Sequence, residues 1–424
     1  MAPDACREML GPARTAHNRS DINNLTIVYR HPRRSRMSVA NLRHELETLL
    51  REGTPALLHR QTTSFDNIAG PYRRAIVLFG AGSLARKIIR FLRRVGIAPL
   101  ACADSDARKW GTQIDGLEIA SPEAVVERYR DKAVFIVAIA SPGHSYVDTS
   151  AMLTRFGCER VSPFLPFLWK YADILLPYYS FHVPAYFVRN RKHIVKAFEL
   201  LADDISRRSF LAQIRLRLRA DFHSLPVPLP AQYFPEDILR LRTNEVFVDC
   251  GAYDGDTIRA LLDRAPSPRV IAFEPDPRNF AALLDFVHAL PPNLQRRIKV
   301  VQAAVGSREC VAGFEASGAP GAGLSPTGSF QVRCLRLDDL PLCDGATYLK
   351  LDIEGAELDA LTGAAELIRR RRPLVAACVY HRPDDLWRVA RLLNSLSEYR
   401  FFFRCHAYDG FESVLYAVPP ERLK

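Results

Sequence analysis

Two apolar stretches near the end of the chain constrain its fold more than any other feature. Tyr399–His406 and Ser413–Val418 both have the composition of buried strands, and only six residues separate them. Six residues cannot hold the crossover helix that parallel neighbours need, so the two strands must pair antiparallel. The chain is therefore predicted to end in a hairpin.

Before this hairpin, strand and helix patterns alternate as they do in parallel α/β sheets. The strands predicted here are Glu245–Asp249, Val270–Phe273, Lys299–Ala303, Tyr348–Asp352 and Leu374–Val379. The predicted helices are Thr257–Arg264, Arg278–His288, Glu357–Ile368 and Asp384–Leu396. The C-terminal half is thus predicted to be α/β, with a parallel sheet whose final strand is reversed.

A smaller α/β unit is predicted nearer the N-terminus. The apolar strand Ala75–Phe79 leads into two glycines and a helical pattern, and strands follow at Pro99–Ala103 and Ala133–Ala140. Strand, helix and strand in this order form a βαβ unit. From Pro177 onward, aromatic residues and helical patterning take over until the alternate prolines of Leu225–Pro230 end the helix.

These patterns divide the chain into four predicted parts. Residues 1–70 are a partly disordered leader with one helix near Val39–Arg51, and residues 71–175 are a Rossmann-like, nucleotide-binding-type domain. Residues 176–235 are a helical connector, and residues 236–424 are the larger α/β domain. The last of these parts is where the chemically informative motifs lie.

Composition excludes several other classes of protein. With 424 residues, 48% hydrophobic and 25% charged, the chain can bury two or three cores and is neither disordered nor fibrous. The net charge of +11 lies in residues 1–74 (+5) and 189–220 (+6), so the remaining segments are neutral in sum and give little reason to expect nucleic acid as a partner. An acidic partner, a membrane surface, a phosphorylated acceptor and coding bias all remain open as causes of this excess.

The sequence also predicts a cytoplasmic location. The longest apolar runs, such as Ala133–Ala140, are far shorter than the ~18 residues of a membrane-spanning helix. Asp4, Arg7 and Glu8 precede no apolar core, so no signal peptide is expected. The nine cysteines form no CxxC pair and no cluster at zinc spacing, so no metal site is predicted. A homo-oligomer is left open.

The strongest motif follows the first strand of the larger domain. Asp249 ends this strand, Gly251 and Gly255 follow, and a helix begins at Asp256. An acid in this place suits a ligand with a positive centre, such as the amino group of a methionyl moiety. Glu274 ends the second strand, where by analogy with dinucleotide sites an acid accepts the ribose hydroxyls. Each piece alone could be a turn or a cap, but together they predict a nucleoside site.

Charged residues also follow the next two strands of the larger domain. Lys350, Asp352, Glu354 and Glu357 follow one another at the end of the fourth strand. Glu357 is predicted to stabilise a helix N-terminus, which leaves at least one of the other carboxylates to face the ligand cleft. At the end of the fifth strand His381 is a candidate base, with a bond to a loop carbonyl as the alternative.

Taken together, these motifs resemble the FkbM-type methyltransferase family over about residues 230–420. The segments that carry the resemblance are Gln232–Phe234, Asp249–Thr257, Phe273–Asp276, Lys350–Glu357 and Val379–Leu386. The resemblance implies a class I methyltransferase fold with S-adenosylmethionine as cofactor. It also implies O-methylation of a hydroxyl on a sugar, a glycan or a natural product. An acceptor loop is predicted at Gly313–Gly328, which is rich in small residues.

The resemblance also assigns roles to particular residues. The cofactor residues that it implies are Asp249, Gly251, Tyr253, Gly255, Asp256, Glu274 and Asp352. Among these, Asp249 and the two glycines hold the methionyl end, Glu274 holds the ribose, and Asp352 lies near the transferred methyl. We predict His381 as the base, with Asp352 or Lys350 orienting the acceptor.

The N-terminal unit is similar to the Rossmann-like domains that precede some such methyltransferases. Gly80 and Gly82 form a permissive nucleotide-binding turn, and Asp104 is placed for a ribose. A bound nucleotide or nucleotide-sugar and a domain that keeps only the fold are equally compatible with this pattern. Two other functions stay open: an NAD-dependent sugar oxidoreductase or epimerase, and a non-catalytic nucleotide-binding module.

Overall fold

Among the described residues, two α-helices come before the first strand. The computed structural model describes residues 38–315, 323–324, 328 and 330–424, and the helices are α1 (Val39–Leu50) and α2 (Thr54–Ala69). The sequence predicts only α1, because α2 buries few apolar side chains and lacks a strong amphipathic pattern. Residues 1–37 of the predicted leader lie outside the described residues.

The first sheet surrounds the fully buried strand that the sequence predicts near residue 76. Its strands are β1 (Ile76–Phe79), β2 (Ala101–Ala103), β3 (Gln113–Ile114), β4 (Leu117–Ala120), β5 (Val134–Val137) and β6 (Val161–Pro163). The helices between them are α3 (Ser83–Arg94), α4 (Pro122–Tyr129) and α5 (Tyr146–Arg155). The order β3-β4-β2-β1-β5-β6, parallel except for β3 against β4, confirms the predicted βαβ unit.

Helices connect this sheet to the second one. They are α6 (Phe164–Lys170), α7 (Ala172–Leu175), α8 (Pro184–Arg189), α9 (Arg191–Leu200) and α10 (Asp204–Arg219). α1 packs on α9 and α10, and α2 packs on α6 and α8, so residues 39–69 belong to this helical layer. Arg217 of α10 is completely buried and donates to Ser180 Oγ, so some of the positive charge in this region serves packing.

The second part of the fold begins at residue 246. Its strands are β7 (Val246–Cys250), β8 (Arg269–Phe273), β9 (Ile298–Val301), β10 (Ala304–Val305), β11 (Cys310–Glu315), β12 (Gly323–Leu324), β13 (Phe330–Leu335), β14 (Tyr348–Leu351), β15 (Leu374–Cys378), β16 (Arg400–Cys405) and β17 (Ser413–Val418). Its helices are α11 (Asp256–Leu262), α12 (Pro277–His288), α13 (Pro292–Gln295), α14 (Glu357–Gly363), α15 (Ala365–Arg371) and α16 (Asp385–Leu396).

Seven of these strands form the sheet that carries the site, in the order β16-β17-β15-β14-β7-β8-β9. All neighbours are parallel except β17, which runs antiparallel to both β15 and β16. This confirms the predicted parallel sheet with a reversed final strand. The carboxyl ends of β7, β8, β14 and β15 therefore meet at one edge.

A small four-stranded sheet, in the order β10-β13-β11-β12, lies between β9 and β14 in sequence and was not predicted. It covers part of the predicted acceptor loop Gly313–Gly328, but residues 316–322 and 325–327 of that loop lie outside the described residues. Within the described part of the chain, we find no helix whose length and apolar character would let it cross a membrane.

A buried aspartate joins the two halves of the fold. Asp409, in the loop between β16 and β17, accepts hydrogen bonds from the backbone N–H of Tyr146, with its two oxygens at 2.9 and 3.1 Å. The Asp409 carboxylate also lies 2.9 Å from Nδ1 of His144. Because the same loop reaches the site described below, this contact holds the first sheet beside that site.

Replacing this carboxylate should weaken the contact between the two halves. Asp409→Ala leaves the buried N–H of Tyr146 without an acceptor, and we expect the free energy of unfolding to fall by about 1–3 kcal/mol. Urea denaturation followed by fluorescence measures the change. Asp148→Ala, an exposed aspartate of α5, is the matched control and should change it by less than about 0.5 kcal/mol. Equal stability of both variants would show that Asp409 does not hold the halves together.

Candidate active site

A buried ion pair lies at the carboxyl edge of the main sheet. Asp249, at the end of β7, and Lys350, on the neighbouring β14, are both almost completely buried, and Nζ lies 3.0 Å from Oδ1. The ammonium also donates to the carbonyl of Gly251 at 2.6 Å. Burial raises the pKa of Asp249 to about 6, against the lowering effect of Lys350. Burial alone would lower the pKa of Lys350, but the carboxylates of Asp249 and Asp352 hold it above its ordinary value.

Backbone conformation and packing within the protein require glycine at both positions of the first motif. Gly251 has φ of +86°, and a Cβ added there would lie 1.9 Å from the carbonyl oxygen of Asp352. Gly255 has φ of +89°, and its Cβ would lie 2.5 Å from the ring of Phe286. The glycines thus allow the β7 loop to pack tightly against its neighbours. Their contact with a ligand remains a prediction, although Gly251 does line the cavity described next.

A cavity of about 540 Å³ opens at this edge of the sheet. It joins a mainly apolar end, lined by Phe273, Pro275, Ala303, Ala304, Val305 and Phe314, to a polar end. The polar end is lined by Gln232, Tyr233, Asp352, Glu354, Tyr380, His406 and Glu412. Pro142 and Gly143 of the first half of the fold also reach it. Such a shape suits an extended ligand, or two ligands placed end to end.

Glu274 lies at the end of β8 in the wall of this cavity. Its two oxygens accept backbone hydrogen bonds, one from Tyr253 at 2.8 Å and one from Asp276 at 2.9 Å. Burial raises the pKa of Glu274 to about 7, although these two hydrogen bonds act in the opposite direction. Of the predicted cofactor residues, Tyr253, Asp256 and Glu274 line the cavity with Gly251 and Asp352, whereas Asp249 and Gly255 do not.

Asp352 directly follows β14 in the wall of the cavity. Its Oδ2 accepts a hydrogen bond from the Tyr233 hydroxyl at 2.6 Å. Burial works to raise the pKa of Asp352, but the charges of Lys350 and His381 hold it below its usual value. Both Asp352 and Glu354 line the cavity, as expected for at least one of them.

His381 is buried next to Asp352 and Glu354. Its Nδ1 lies 2.8 Å from Glu357 Oε1, and its Nε2 lies 3.5 Å from Asp352 Oδ1. Burial alone would lower the pKa of His381, but Glu357, Asp352 and Glu354 raise it to about 10. The ring is therefore in its charged, doubly protonated form near neutral pH, and this form does not favour the predicted role of general base. Glu357 also accepts from the Ile353 N–H at 3.0 Å, so it serves both the helix start and the histidine.

Glu412 is a residue of this site that the sequence analysis did not identify. Its two oxygens accept hydrogen bonds from the Tyr380 hydroxyl at 3.0 Å and the Gln232 side-chain amide at 2.6 Å. Burial, then the nearby charge of Asp352, raises the pKa of Glu412 to about 7. Its position just before β17, in the short link of the terminal hairpin, is the one signal that could have pointed to it.

Tyr233 lies in the segment Gln232–Phe234 that carries part of the family resemblance, but the sequence analysis assigned it no role of its own. In the structure its hydroxyl binds Asp352 and its backbone N–H donates to Tyr416 Oη. The Tyr348 hydroxyl donates to its carbonyl. The connector therefore contributes directly to the site.

The residues of the predicted nucleotide-binding turn in the first sheet do not line this cavity. Asp104 accepts from the Ala81 and Asp106 N–H groups and from Lys109, each at 2.8 Å. A Cβ on Gly80 would lie 2.2 Å from Ile139, so packing accounts for this glycine, whereas a Cβ on Gly82 would meet open space. These contacts favour the alternative of a domain that keeps only the fold, and nucleotide binding there remains a prediction.

The sheet order, the reversed final strand and the cavity at the carboxyl edge define a class I methyltransferase-like fold. Residues 249–408 match the sequence model of the methyltransferase FkbM domain. The chain thus carries an FkbM domain and is a methyltransferase, as its motifs predicted. This finding favours the methyltransferase over the oxidoreductase and the non-catalytic module. A comparison with curated protein sequences finds no match.

Solved structures show how far the fold similarity extends. Methyltransferase FkbM from Methylobacillus flagellatus KT is similar with a TM-score of 0.70 and 22% identity, over 89% of this chain and 98% of that one. The shared fold therefore includes both sheets. Aeropyrum pernix fibrillarin with natively bound S-adenosyl-L-methionine has a TM-score of 0.25 and 15% identity, over 42% of this chain and 69% of that one. Precorrin-6y C5,15-methyltransferase from Geobacter metallireducens GS-15 has a TM-score of 0.27 and 17% identity, over 42% and 81%.

The close approach of Gly251 to β14 yields a stability prediction. Gly251→Ala forces a side chain into the left-handed region and against the Asp352 carbonyl, so we expect the free energy of unfolding to fall by about 2–5 kcal/mol. Gly345→Ala is the matched control, because a Cβ there meets open space. Denaturant titration of both variants measures the difference. If the two variants were equally stable, the β7 loop would not require glycine for packing.

Proposed function

We propose that this protein transfers a methyl group from S-adenosylmethionine to a hydroxyl of a sugar, glycan or natural-product acceptor. The observation that carries the proposal is one cavity whose lining combines Gly251, Tyr253 and Glu274, a cradle suited to a nucleoside, with an end rich in carboxylates. The FkbM match supports the reaction class. When bound, S-adenosylmethionine would supply the methyl group.

The residues of the cradle fit this cofactor. Asp249 is fully buried, and neither of its oxygens accepts a well-aligned hydrogen bond from the protein. Asp249 does not line the cavity, and it supports the cradle by holding Lys350, whose ammonium binds the Gly251 carbonyl. Each carboxylate oxygen of Glu274 uses one lone pair to accept a hydrogen bond from a backbone N–H group. The remaining lone pairs are left to accept hydrogen bonds from two ribose hydroxyls.

The polar end of the cavity fits an acceptor that donates hydrogen bonds. Ionised carboxylates only accept, and Asp352, Glu354 and Glu412 face this space together. Tyrosines 233 and 380 add apolar ring surface beside these acceptors. A compound with several hydroxyl groups on a compact ring would satisfy both features, whereas an anionic acceptor would be repelled.

The methyl transfer requires removal of the hydroxyl proton. We assign this step to Glu412 rather than His381, because Glu412 faces the cavity and titrates near neutral pH. His381 keeps its Nδ1 on Glu357 and is held in its charged form by the carboxylates around it. Asp352 then orients the acceptor, with its own position fixed by the Tyr233 hydroxyl.

Binding of the cofactor product should depend on pH through Glu274. The pKa of this group is raised to about 7, so it becomes protonated as pH falls and then offers fewer acceptors to the ribose. We expect the affinity for S-adenosylhomocysteine, measured by calorimetry, to fall up to about tenfold per pH unit below 7. Affinity should level off above pH 8.

Glu274→Gln is the control for this dependence, since it cannot ionise. The variant should bind S-adenosylhomocysteine more weakly than the native protein above pH 8, and its residual affinity should change little between pH 6 and 8. NAD serves as the comparison ligand in the same titrations. Binding of NAD without S-adenosylhomocysteine would contradict the proposed cofactor, and an unchanged pH profile in the variant would contradict the role of Glu274.

Glu412→Gln should separate catalysis from cofactor binding. Without a proton acceptor, kcat for the acceptor found in a screen of sugars, glycans and glycosylated natural products should fall roughly 10²- to 10⁴-fold. Affinity for S-adenosylhomocysteine should stay near native. Glu398→Gln is the matched control, because Glu398 is exposed and does not line the cavity. A near-native kcat in Glu412→Gln would show that another group acts as the base.

A further inference from the structure

The mouth of the polar end of the cavity is formed by the first half of the fold. Among the described residues that line this end, Pro142 and Gly143 are the exposed ones. The residues of the second half that line it are buried or half-buried: Gln232, Tyr233, Asp352, Glu354, Tyr380, His406 and Glu412. A ligand that enters this end from solvent therefore passes the loop of residues 138–145 between β5 and α5, here called the β5–α5 loop.

The β5–α5 loop is held in place by residues 406–412, the link of the terminal hairpin. The Tyr408 N–H donates to the Pro142 carbonyl at 3.4 Å. His144 Nδ1 lies 2.9 Å from Asp409 Oδ2, and its Nε2 lies 2.9 Å from the Thr149 hydroxyl. The same link carries Glu412, so one short segment positions both the mouth and a carboxylate of the cavity wall.

Gly143 differs from the other glycines of the site, because neither conformation nor packing requires it. Its φ lies outside the left-handed region, and a Cβ added there would meet no atom within 4 Å. Gly251 and Gly255, in contrast, are fixed by positive φ and by close neighbours. The missing side chain of Gly143 thus leaves open space at the edge of the cavity.

This open space has a consequence for acceptors. The cavity must hold both the cofactor and the reacting part of the acceptor, so the rest of a larger acceptor has to leave through the mouth. We propose that Gly143 is a specificity-determining residue, whose lack of a side chain admits sugar acceptors that carry a second ring. This inference deepens the proposed function and rests on it.

The two walls of the polar end would then select different properties of the acceptor. Carboxylates such as Asp352 and Glu412 accept hydrogen bonds from hydroxyl groups of the reacting ring. Pro142 and Gly143 have no polar side chain, so they select by size and not by the position of a hydroxyl. The first sheet thus serves as a rigid scaffold for a selective loop, a role that requires no nucleotide.

The test uses methyl glycosides of hexoses and of the corresponding disaccharides as probes, with labelled S-adenosylmethionine and the full chain. We expect the native protein to methylate both sizes. Gly143→Leu should lower kcat/KM for the disaccharide at least about tenfold more than for the monosaccharide, because its side chain narrows the mouth. Affinity for S-adenosylhomocysteine should stay near native.

Gly345→Leu is the matched control and should keep the native ratio of the two kcat/KM values. A Cβ at Gly345 also meets open space, and Gly345 does not line the cavity. Gly143→Ala should shift the ratio in the same direction by a smaller factor, and it replaces the leucine variant if that variant fails to fold in urea denaturation.

His144 is a positioning residue in this account, because it holds the β5–α5 loop and does not line the cavity. His144→Ala should raise KM for both glycosides several-fold and change kcat less, whereas Glu412→Gln lowers kcat. A fall in kcat with an unchanged KM in His144→Ala would contradict the positioning role.

The outcomes distinguish this inference from the proposed function. A native ratio in both Gly143 variants, or a native protein that methylates only the monosaccharides, would overturn the inference alone. Binding of S-adenosylhomocysteine without methylation of any glycoside would overturn the proposed acceptor class and the inference with it.

Discussion

The ion pair between Asp249 and Lys350 is the interaction on which the rest of the site depends. It joins β7 to β14 at the centre of the main sheet, at the point where both strands are followed by loops that line the cavity. An isolated charge buried this deeply would cost several kcal/mol, so neither residue is tolerated without the other. Lys350 also binds the Gly251 carbonyl, and the same ammonium therefore fixes the first loop of the cavity.

From this pair the site extends in two directions along the sheet edge. Toward β8, the tight packing of Gly251 against Asp352 leads to Glu274, whose oxygens are held by backbone N–H groups. Toward β15, Asp352 leads to His381 and then to Glu357. One direction therefore ends in a carboxylate held by two backbone N–H groups, and the other ends in a group of carboxylates around an imidazole.

The sequence predicted the parts of this arrangement that depend on local pattern. Strand ends are visible in a sequence, and parallel strands bring their carboxyl ends together, so Asp249, Glu274, Asp352 and His381 could be placed at one edge in advance. Glu412 could not, because a glutamate in a hairpin link has no periodic signal and its burial depends on contacts made by distant segments. The helix α2 was not predicted for a related reason. It is stabilised by packing on α6 and α8, and not by an amphipathic pattern of its own.

Several carboxylates share the polar end of the cavity with little positive charge around them. Burial and then the charge of Asp352 raise the pKa of Glu412 to about 7, so these acids do not stay ionised together at low cost. His381 relieves this repulsion only by holding a proton. A ligand that brings positive charge would stabilise the ionised carboxylates around it. Binding of such a ligand and ionisation of these acids would therefore favour one another.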